Sequence, residues 1–220
     1  MDKQKLKINE IFFSIQCEGP FTGDPAIFIR LSGCNLSCSF CDTNHSTGDL
    51  LNTSEILAEI NTILEAEDVA YSPLIVVTGG EPLMQPVGKL IELLLRIGYR
   101  VQLETNGTLS PRASDPPWYA NAFIVCSPKE GTRIQRSFLP FIDAYKILVE
   151  NNDTETTDLF SFMENSGVPT HVKRDMIYLQ PKNVADFPAT SKKNAVAAVN
   201  LCKKHGFQLS LQTHKTIGIK

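Results

Sequence analysis

The chain has 220 residues, with 21 basic and 24 acidic side chains, a net charge of −3, 42% hydrophobic residues and 20% charged residues. That length suits one substantial core, so a single domain over 1–220 is expected, and the composition is far from the disordered and membrane classes. No run of Lys or Arg is long enough to neutralise a track of phosphates, which argues against nucleic acid as a direct partner.

The N-terminal segment MDKQKLKINEIFFSIQ carries basic residues, but Gln16 and Glu18 break its apolar stretch too early for a signal sequence or a membrane span. A cytoplasmic protein is therefore expected. In that reducing compartment the cysteines at 17, 34, 38, 41, 126 and 202 stay as thiols, and a cluster of them favours metal over disulfides.

AIFIRL (26–31) reads as a strand. TSEILAEINTILEAE (53–67) reads as a helix with Ile56, Leu57, Ile60, Ile63 and Leu64 on one face, capped by Asn52 or Thr53. The strand LIVVT (74–78) follows. Next comes a helix over PVGKLIELLLRIG (86–98), with Pro86 suited to its first turn and Gly98 to its C-terminal cap. RVQLET (100–105) returns to strand, and SPRASDPPW (110–118) reads as a surface loop. Further strands are expected near 122–127, 145–149, 176–180 and 207–212, with helices over 154–167 and 191–206 between the later ones.

Strands alternating with helices predict a parallel sheet with right-handed crossovers. No internal repeat, low-complexity tract or linker interrupts it. The polar and glycine-rich clusters SGCNLSC, TGGEP, ETNGT, SPK, LQPKN and QTHK each follow a predicted strand. In a barrel or open parallel sheet those strand ends gather at one mouth, where active sites are built.

Cys34, Cys38 and Cys41 stand in Cys-x-x-x-Cys-x-x-Cys spacing within a loop of small polar residues. Such a backbone can turn repeatedly around an inorganic cluster and direct amides at its sulfides. A structural zinc ion is the competing reading; it wants four protein ligands, and His45 or Cys17 are the candidates for the fourth. If the group is a 4Fe-4S cluster, three thiolates leave one iron open to a small molecule. Cys126 and Cys202 fall in apolar patterns and read as core thiols.

With Phe40 before the third cysteine and TGGEP downstream, the motif resembles the radical S-adenosylmethionine enzymes. The resemblance implies an incomplete β/α barrel with the cluster in the loop after the first strand. It also implies that S-adenosylmethionine binds the open iron, is cleaved by one electron from the cluster, and yields a 5'-deoxyadenosyl radical that abstracts a hydrogen atom. By the same resemblance Gly80, Ser127, Pro128, Lys129, Gln180, Pro181, Lys182 and Asn183 bind S-adenosylmethionine, and Thr78 faces substrate. Glu81 adds a carboxylate beside the glycines, while Glu104 and Asn106 are further cofactor candidates.

The segment INEIFFSIQCEGPFTGDPAIFIRLSGC, with CDT after the third cysteine and QTHK near the end, resembles the 7-carboxy-7-deazaguanine synthases almost end to end. That family converts 6-carboxy-5,6,7,8-tetrahydropterin to 7-carboxy-7-deazaguanine with loss of ammonia, toward queuosine and other deazapurines. Carried onto this chain, it implies Ile15, Gln16, Cys17 and Arg30 as substrate contacts and Thr43 as a magnesium ligand. It further implies an external one-electron reductant such as flavodoxin, and a homodimer. Arg30 suits a substrate carboxylate as a planar fork, or else pairs with Glu18 at the mouth. Cys17 stands where the family usually has glycine; His214 is a candidate donor to the pterin, and Asp42 lies beside Thr43. An activating enzyme that takes hydrogen from a partner protein, and an electron carrier or zinc-stabilised binding module, are the alternatives.

Overall fold

The computed structural model describes residues 4–41, 43–113, 115, 117–151, 157–184 and 188–220. Its strands are β1 (Lys5–Ile15), β2 (Pro25–Leu31), β3 (Asp49–Asn52), β4 (Leu74–Gly79), β5 (Val101–Thr105), β6 (Phe123–Cys126), β7 (Ala144–Val149), β8 (Ile177–Pro181) and β9 (Gln208–Leu209). Its helices are α1 (Thr53–Ala66), α2 (Gly88–Arg96), α3 (Thr157–Ser166), α4 (Pro188–His205) and α5 (Thr213–Ile217). The described strands form one sheet in the order β3-β1-β2-β4-β5-β6-β7-β8-β9. From β2 onward every neighbour is parallel. Because β3 and β9 are separate edges, the curved sheet is an incomplete β/α barrel.

The alternation of side chains explains the layers. Ile27, Ile29 and Leu31 of β2 and Ile75 and Val77 of β4 face outward, where they pack with Ile56 and Ile60 of α1 and Leu90, Ile91 and Leu94 of α2. A second outer core joins Ile147 and Leu179 to Leu159, Met163 and Ala198 of α3 and α4. The opposite parity, Phe28, Arg30, Thr78, Glu104, Lys146 and Gln180, faces the barrel interior and lines its cavity.

Most expected elements form where the periodicity places them. Asn52 caps α1 in a full capping box with Glu55, and Gly98 takes a positive φ just beyond α2. Several expectations need correction. The sheet begins with β1, an antiparallel strand whose apolar alternation is broken by a register shift between Ile8 and Glu10, so the pattern Leu6, Ile8, Ile11 conceals it. The cysteine loop accordingly follows the second strand. Helix α2 starts at Gly88, leaving Pro86 outside its first turn. The crossovers on either side of β6 carry short 3₁₀ turns at Trp118–Ala120 and Leu139–Phe141, and Trp118 is a core residue packed on Gly88. Only Gln208–Leu209 of the expected last strand pairs with β8, because Ser210 turns inward to hydrogen bond Gln180 Oε1 at 2.9 Å. The expected N-terminal extension of α3 and the side chain of Asp42 lie outside the described residues. No helix among the described residues is long and apolar enough to cross a membrane.

Candidate active site

The cysteine loop is fastened to the end of β4 by its backbone. Gly80 N donates to Leu31 O at 3.2 Å, Glu81 N to Gly33 O at 2.9 Å and Gly33 N to His45 O at 2.8 Å. This closeness demands glycine twice. Gly79 has φ +140° and any β-carbon there would come within 2.5 Å of Leu31 N, while one on Gly80 would run into the Gly33 carbonyl and within 2.9 Å of Cys34 Cβ. The loop's other side is pinned to β5 and its following turn, where Asn106 Nδ2 donates to Asn35 Oδ1 at 3.0 Å and Asn35 Nδ2 to Thr108 Oγ1 at 2.8 Å.

Within the loop, Cys41 N donates to Cys38 O at 3.1 Å and Leu36 N points at Cys34 Sγ at 3.5 Å. Burial raises the proton affinity of Cys34, and the neighbouring Glu81, Cys38 and Cys41 charges add to it, so thiolate formation there is coupled to metal binding. Cys34, Cys38 and Cys41 all line one cavity of about 490 Å³. A 4Fe-4S cluster takes one thiolate per iron, and three cysteines on one cavity can each offer a thiolate to it. Gly33 takes φ +88°, the left-handed region that favours glycine, where the loop turns into the first cysteine.

All six loops that follow predicted strands reach this cavity, through Cys34, Thr78, Glu104, Ser127, Gln180 and His214 among others. Of the residues expected in the site, Ile15, Gln16, Cys17, Arg30, Thr43, Thr78, Gly80, Ser127, Lys129, Gln180, Lys182 and Asn183 line it as well. Pro128 lines a neighbouring cavity of about 380 Å³ that shares Phe40, Lys129 and Lys182 with the first, and Pro181 lines neither. Lys129 Nζ donates to Ser127 Oγ at 2.7 Å, and burial, with the Lys146 charge nearby, pushes its ammonium below the usual lysine range. Lys182 pairs with Glu150 and lies over the Phe40 ring at 4.6 Å, so it braces the cysteine loop.

A polar wall of the same cavity was only partly foreseeable. Lys146, on β7, meets Glu18 Oε2 at 2.5 Å and Glu104 Oε1 at 3.5 Å. Glu104 also accepts from Thr78 Oγ1 at 3.0 Å, Gln102 Nε2 at 3.0 Å and Gln16 Nε2 at 3.4 Å. Glu18 accepts from Gln212 Nε2 at 2.8 Å. Burial alone would raise the Glu18 carboxyl, but the Lys146 charge and hydrogen bond outweigh it and hold it at about 2. Burial would likewise lower the Lys146 ammonium, and the Glu104 and Glu18 charges raise it instead. Gln16, Thr78 and Glu104 of this wall stand in segments the sequence singles out; Lys146 does not, although a lysine inside the apolar run YKILV is a local signal of a buried charge.

The alternative pairing of Arg30 and the place expected of Glu81 both come out differently in the structure. Arg30 does not meet Glu18; its Nε donates to Glu10 Oε1 at 2.8 Å, and Lys220 binds the same carboxylate. Its guanidinium then rests over Phe12, which stacks on Phe28 at 4.9 Å. Glu81 does not enter the cavity. Fully buried, it accepts from Asn106 N at 2.7 Å, Thr105 Oγ1 at 2.8 Å and Leu83 N at 3.0 Å, clamping the turns after β4 and β5 together. Burial raises its carboxyl.

The sequence pattern of the Radical SAM superfamily matches residues 28–117. The chain is 40% identical to a 7-carboxy-7-deazaguanine synthase of Rickettsia prowazekii, covering 100% of this chain and 91% of that protein. It is 34% identical to the synthase of that name from Rhodospirillum rubrum, over 99% and 94%, and 36% identical to that of Bacteroides thetaiotaomicron, over 97% and 98%. Among solved structures it is similar to QueE from Escherichia coli, with a TM-score of 0.71 and 26% identity over 94% of each chain. The peptide-bound Streptococcus suis SuiB shares the fold alone, with a TM-score of 0.51 and 10% identity over 84% of this chain and 47% of that one.

Proposed function

This chain belongs to the 7-carboxy-7-deazaguanine synthases of the radical S-adenosylmethionine superfamily, and from that membership we propose that it converts 6-carboxy-5,6,7,8-tetrahydropterin to 7-carboxy-7-deazaguanine with loss of ammonia, toward queuosine and related deazapurines. The observation that carries this reading is one cavity lined both by the three cysteines and by a charged, hydrogen-bonded group of Glu18, Glu104 and Lys146.

Cys34, Cys38 and Cys41 would hold the 4Fe-4S cluster, one thiolate to each of three irons. Gly80, Ser127, Lys129, Gln180, Lys182 and Asn183 would cradle S-adenosylmethionine, with Pro128 and Pro181 fixing the turns that carry them. When bound, cluster and S-adenosylmethionine supply the one-electron chemistry that removes a hydrogen atom from the substrate. The chain's own task is to orient the pterin and to keep water and stray hydrogen donors away.

Arg30 is arranged for a carboxylate. Glu10 takes its Nε–H, which fixes the plane of the guanidinium and leaves the terminal nitrogens for the substrate. Gln16 and Thr78 would hold the ring system, with Ile15 and Cys17 shaping its edge. Thr43 would offer a hydroxyl oxygen to a magnesium ion, a cation that prefers hard oxygen donors. Residues 1–220 are proposed to work as one domain, in a cytoplasmic homodimer fed by an external one-electron reductant such as flavodoxin.

Anaerobic reconstitution with iron and sulfide, followed by incubation with the tetrahydropterin, S-adenosylmethionine and a reductant, tests this. The expected result is 7-carboxy-7-deazaguanine, with more formed when magnesium is present. Cluster-loaded protein that cleaves S-adenosylmethionine but leaves the pterin unchanged would overturn the assignment.

A further inference from the structure

We propose that Lys146 is a positioning residue of the substrate pocket, which acts through Glu104 and Glu18 to fix Gln16 and Thr78 without itself touching the substrate. The inference rests on the reading of Gln16 and Thr78 as pterin contacts.

Lys146 lies in the middle of β7, on the face turned toward the cavity, and is only 7% exposed. Its partners come from far apart in the sheet. Glu18 belongs to the turn after β1 and Glu104 to the end of β5, and β6 separates β5 from β7. A single ammonium thus joins three walls of a barrel that has no strand pairing to close it. Ser210 Oγ, which accepts from Gly19 N at 2.9 Å, and Gln212, which donates to Glu18, fasten the same turn to the far edge of the sheet.

From these anchors the order passes to the pocket residues. Thr78 Oγ1 donates to Glu104 Oε2 and Gln16 Nε2 to Glu104 Oε1, while Gln16 Oε1 accepts from Glu18 N at 3.1 Å. One end of the Gln16 amide is therefore set by the Glu104 carboxylate and the other by the backbone N–H of Glu18, the residue whose carboxylate Lys146 holds. Gln102 supports Glu104 from beneath. Without the ammonium, two carboxylates would share a buried region with no cation between them, and their repulsion would move Glu104 away from the place where Thr78 and Gln16 reach it. The Thr78 hydroxyl and the Gln16 amide would then both lose their anchor.

The test compares wild type, Lys146→Met, Lys146→Arg, Glu104→Gln and the double variant Lys146→Met with Glu104→Gln. Equilibrium binding of the tetrahydropterin to reconstituted, unreduced protein is measured beside iron content and S-adenosylmethionine binding. Lys146→Met is expected to keep its iron and its S-adenosylmethionine affinity but to bind the pterin about thirtyfold more weakly, the scale of two lost hydrogen bonds. Lys146→Arg, which keeps the cation, is expected to recover most of that loss. If Lys146 acts through Glu104, the double variant binds no more weakly than the poorer single variant.

A loss below tenfold in Lys146→Met, or losses that multiply in the double variant, overturns the proposal. Should Lys146→Met not fold, the double variant, which removes one of the two facing carboxylates, carries the test against Glu104→Gln alone: equal loss supports the proposal and multiplied loss overturns it. A wild-type protein that fails to bind the pterin overturns the functional reading and this inference together. Wild-type binding with unaffected Lys146→Met overturns the inference alone.

Discussion

Gly80 packs directly against Gly33, so that a β-carbon on Gly80 would lie 2.5 Å from the Gly33 carbonyl carbon. The obstacle is backbone on both sides and cannot swing away as a flexible side chain would. Gly80→Ala is therefore expected to push the cysteine loop off the end of β4. Iron and sulfide per chain after anaerobic reconstitution should fall to less than about half of the wild-type content, since overpacking at a tight contact displaces the neighbouring backbone. Full iron content with unchanged S-adenosylmethionine binding would show that the loop tolerates the shift.

The cysteines divide into two groups with different fates. Cys34→Ala, Cys38→Ala and Cys41→Ala should each abolish stable iron incorporation, because the cluster has one protein ligand per bound iron and no spare. Cys126→Ala and Cys202→Ala should keep their iron, and Cys17→Gly should do so too, although it lines the same cavity. Elemental analysis of the six reconstituted variants checks this. Iron loss in Cys17→Gly would make that thiol a ligand.

Acid stability should carry the mark of Glu18. Its carboxyl is held at about 2 when folded, below the ordinary 4.5, because the Lys146 charge overcomes the cost of burial. The stabilisation is thus present above the ordinary value and lost as pH falls from about 4.5 to 2. Removing one partner of a buried ion pair costs about 3–5 kcal/mol, so Glu18→Gln should melt well below wild type at pH 7. The gap should narrow as pH falls toward 3, followed by thermal melting. Glu81 has the opposite sign: burial raises its carboxyl, so its contribution is present at low pH and fades as pH rises through the raised value. Glu81→Gln should leave the steep acid limb in place.

Arg30→Lys should be far from conservative. Lysine can reproduce the charge but not a fork that gives Nε–H to Glu10 while offering its terminal nitrogens to a carboxylate. Loss of one charge-assisted hydrogen bond is worth about 1.5–3 kcal/mol, which predicts pterin binding weaker by about tenfold to a hundredfold. Glu10→Gln, which keeps an acceptor for Nε, should lose less. Equilibrium binding of the pterin to all three proteins decides the order, and equal affinity in Arg30→Lys would remove Arg30 from the substrate contacts.

Much of the site was legible because its signals are local. Three cysteines in eight residues, glycines in a turn after a buried strand, and polar clusters at successive strand ends need no knowledge of long-range pairing. The pairing that assembles the polar wall was not legible in this way. Glu18 and Lys146 are 128 residues apart, and nothing in either neighbourhood specifies the other. Glu81 reads as a ligand group from its place beside two glycines, yet the backbone amides of Leu83 and Asn106 and the Thr105 hydroxyl draw it into the interior instead.

The strands β2 and β4 to β8, the helices between them, the cysteine spacing and the gathering of loops at one end were legible in the sequence by itself, since side-chain periodicity and turn chemistry act over a few residues; β1, β3 and α5 were not. Only the tertiary structure decided that β1 pairs antiparallel across a bulge, that Arg30 belongs to Glu10, and that Lys146 gathers Glu18 and Glu104 into one wall. Those outcomes depend on which distant groups meet when the sheet curves, and burial then makes their charges pair.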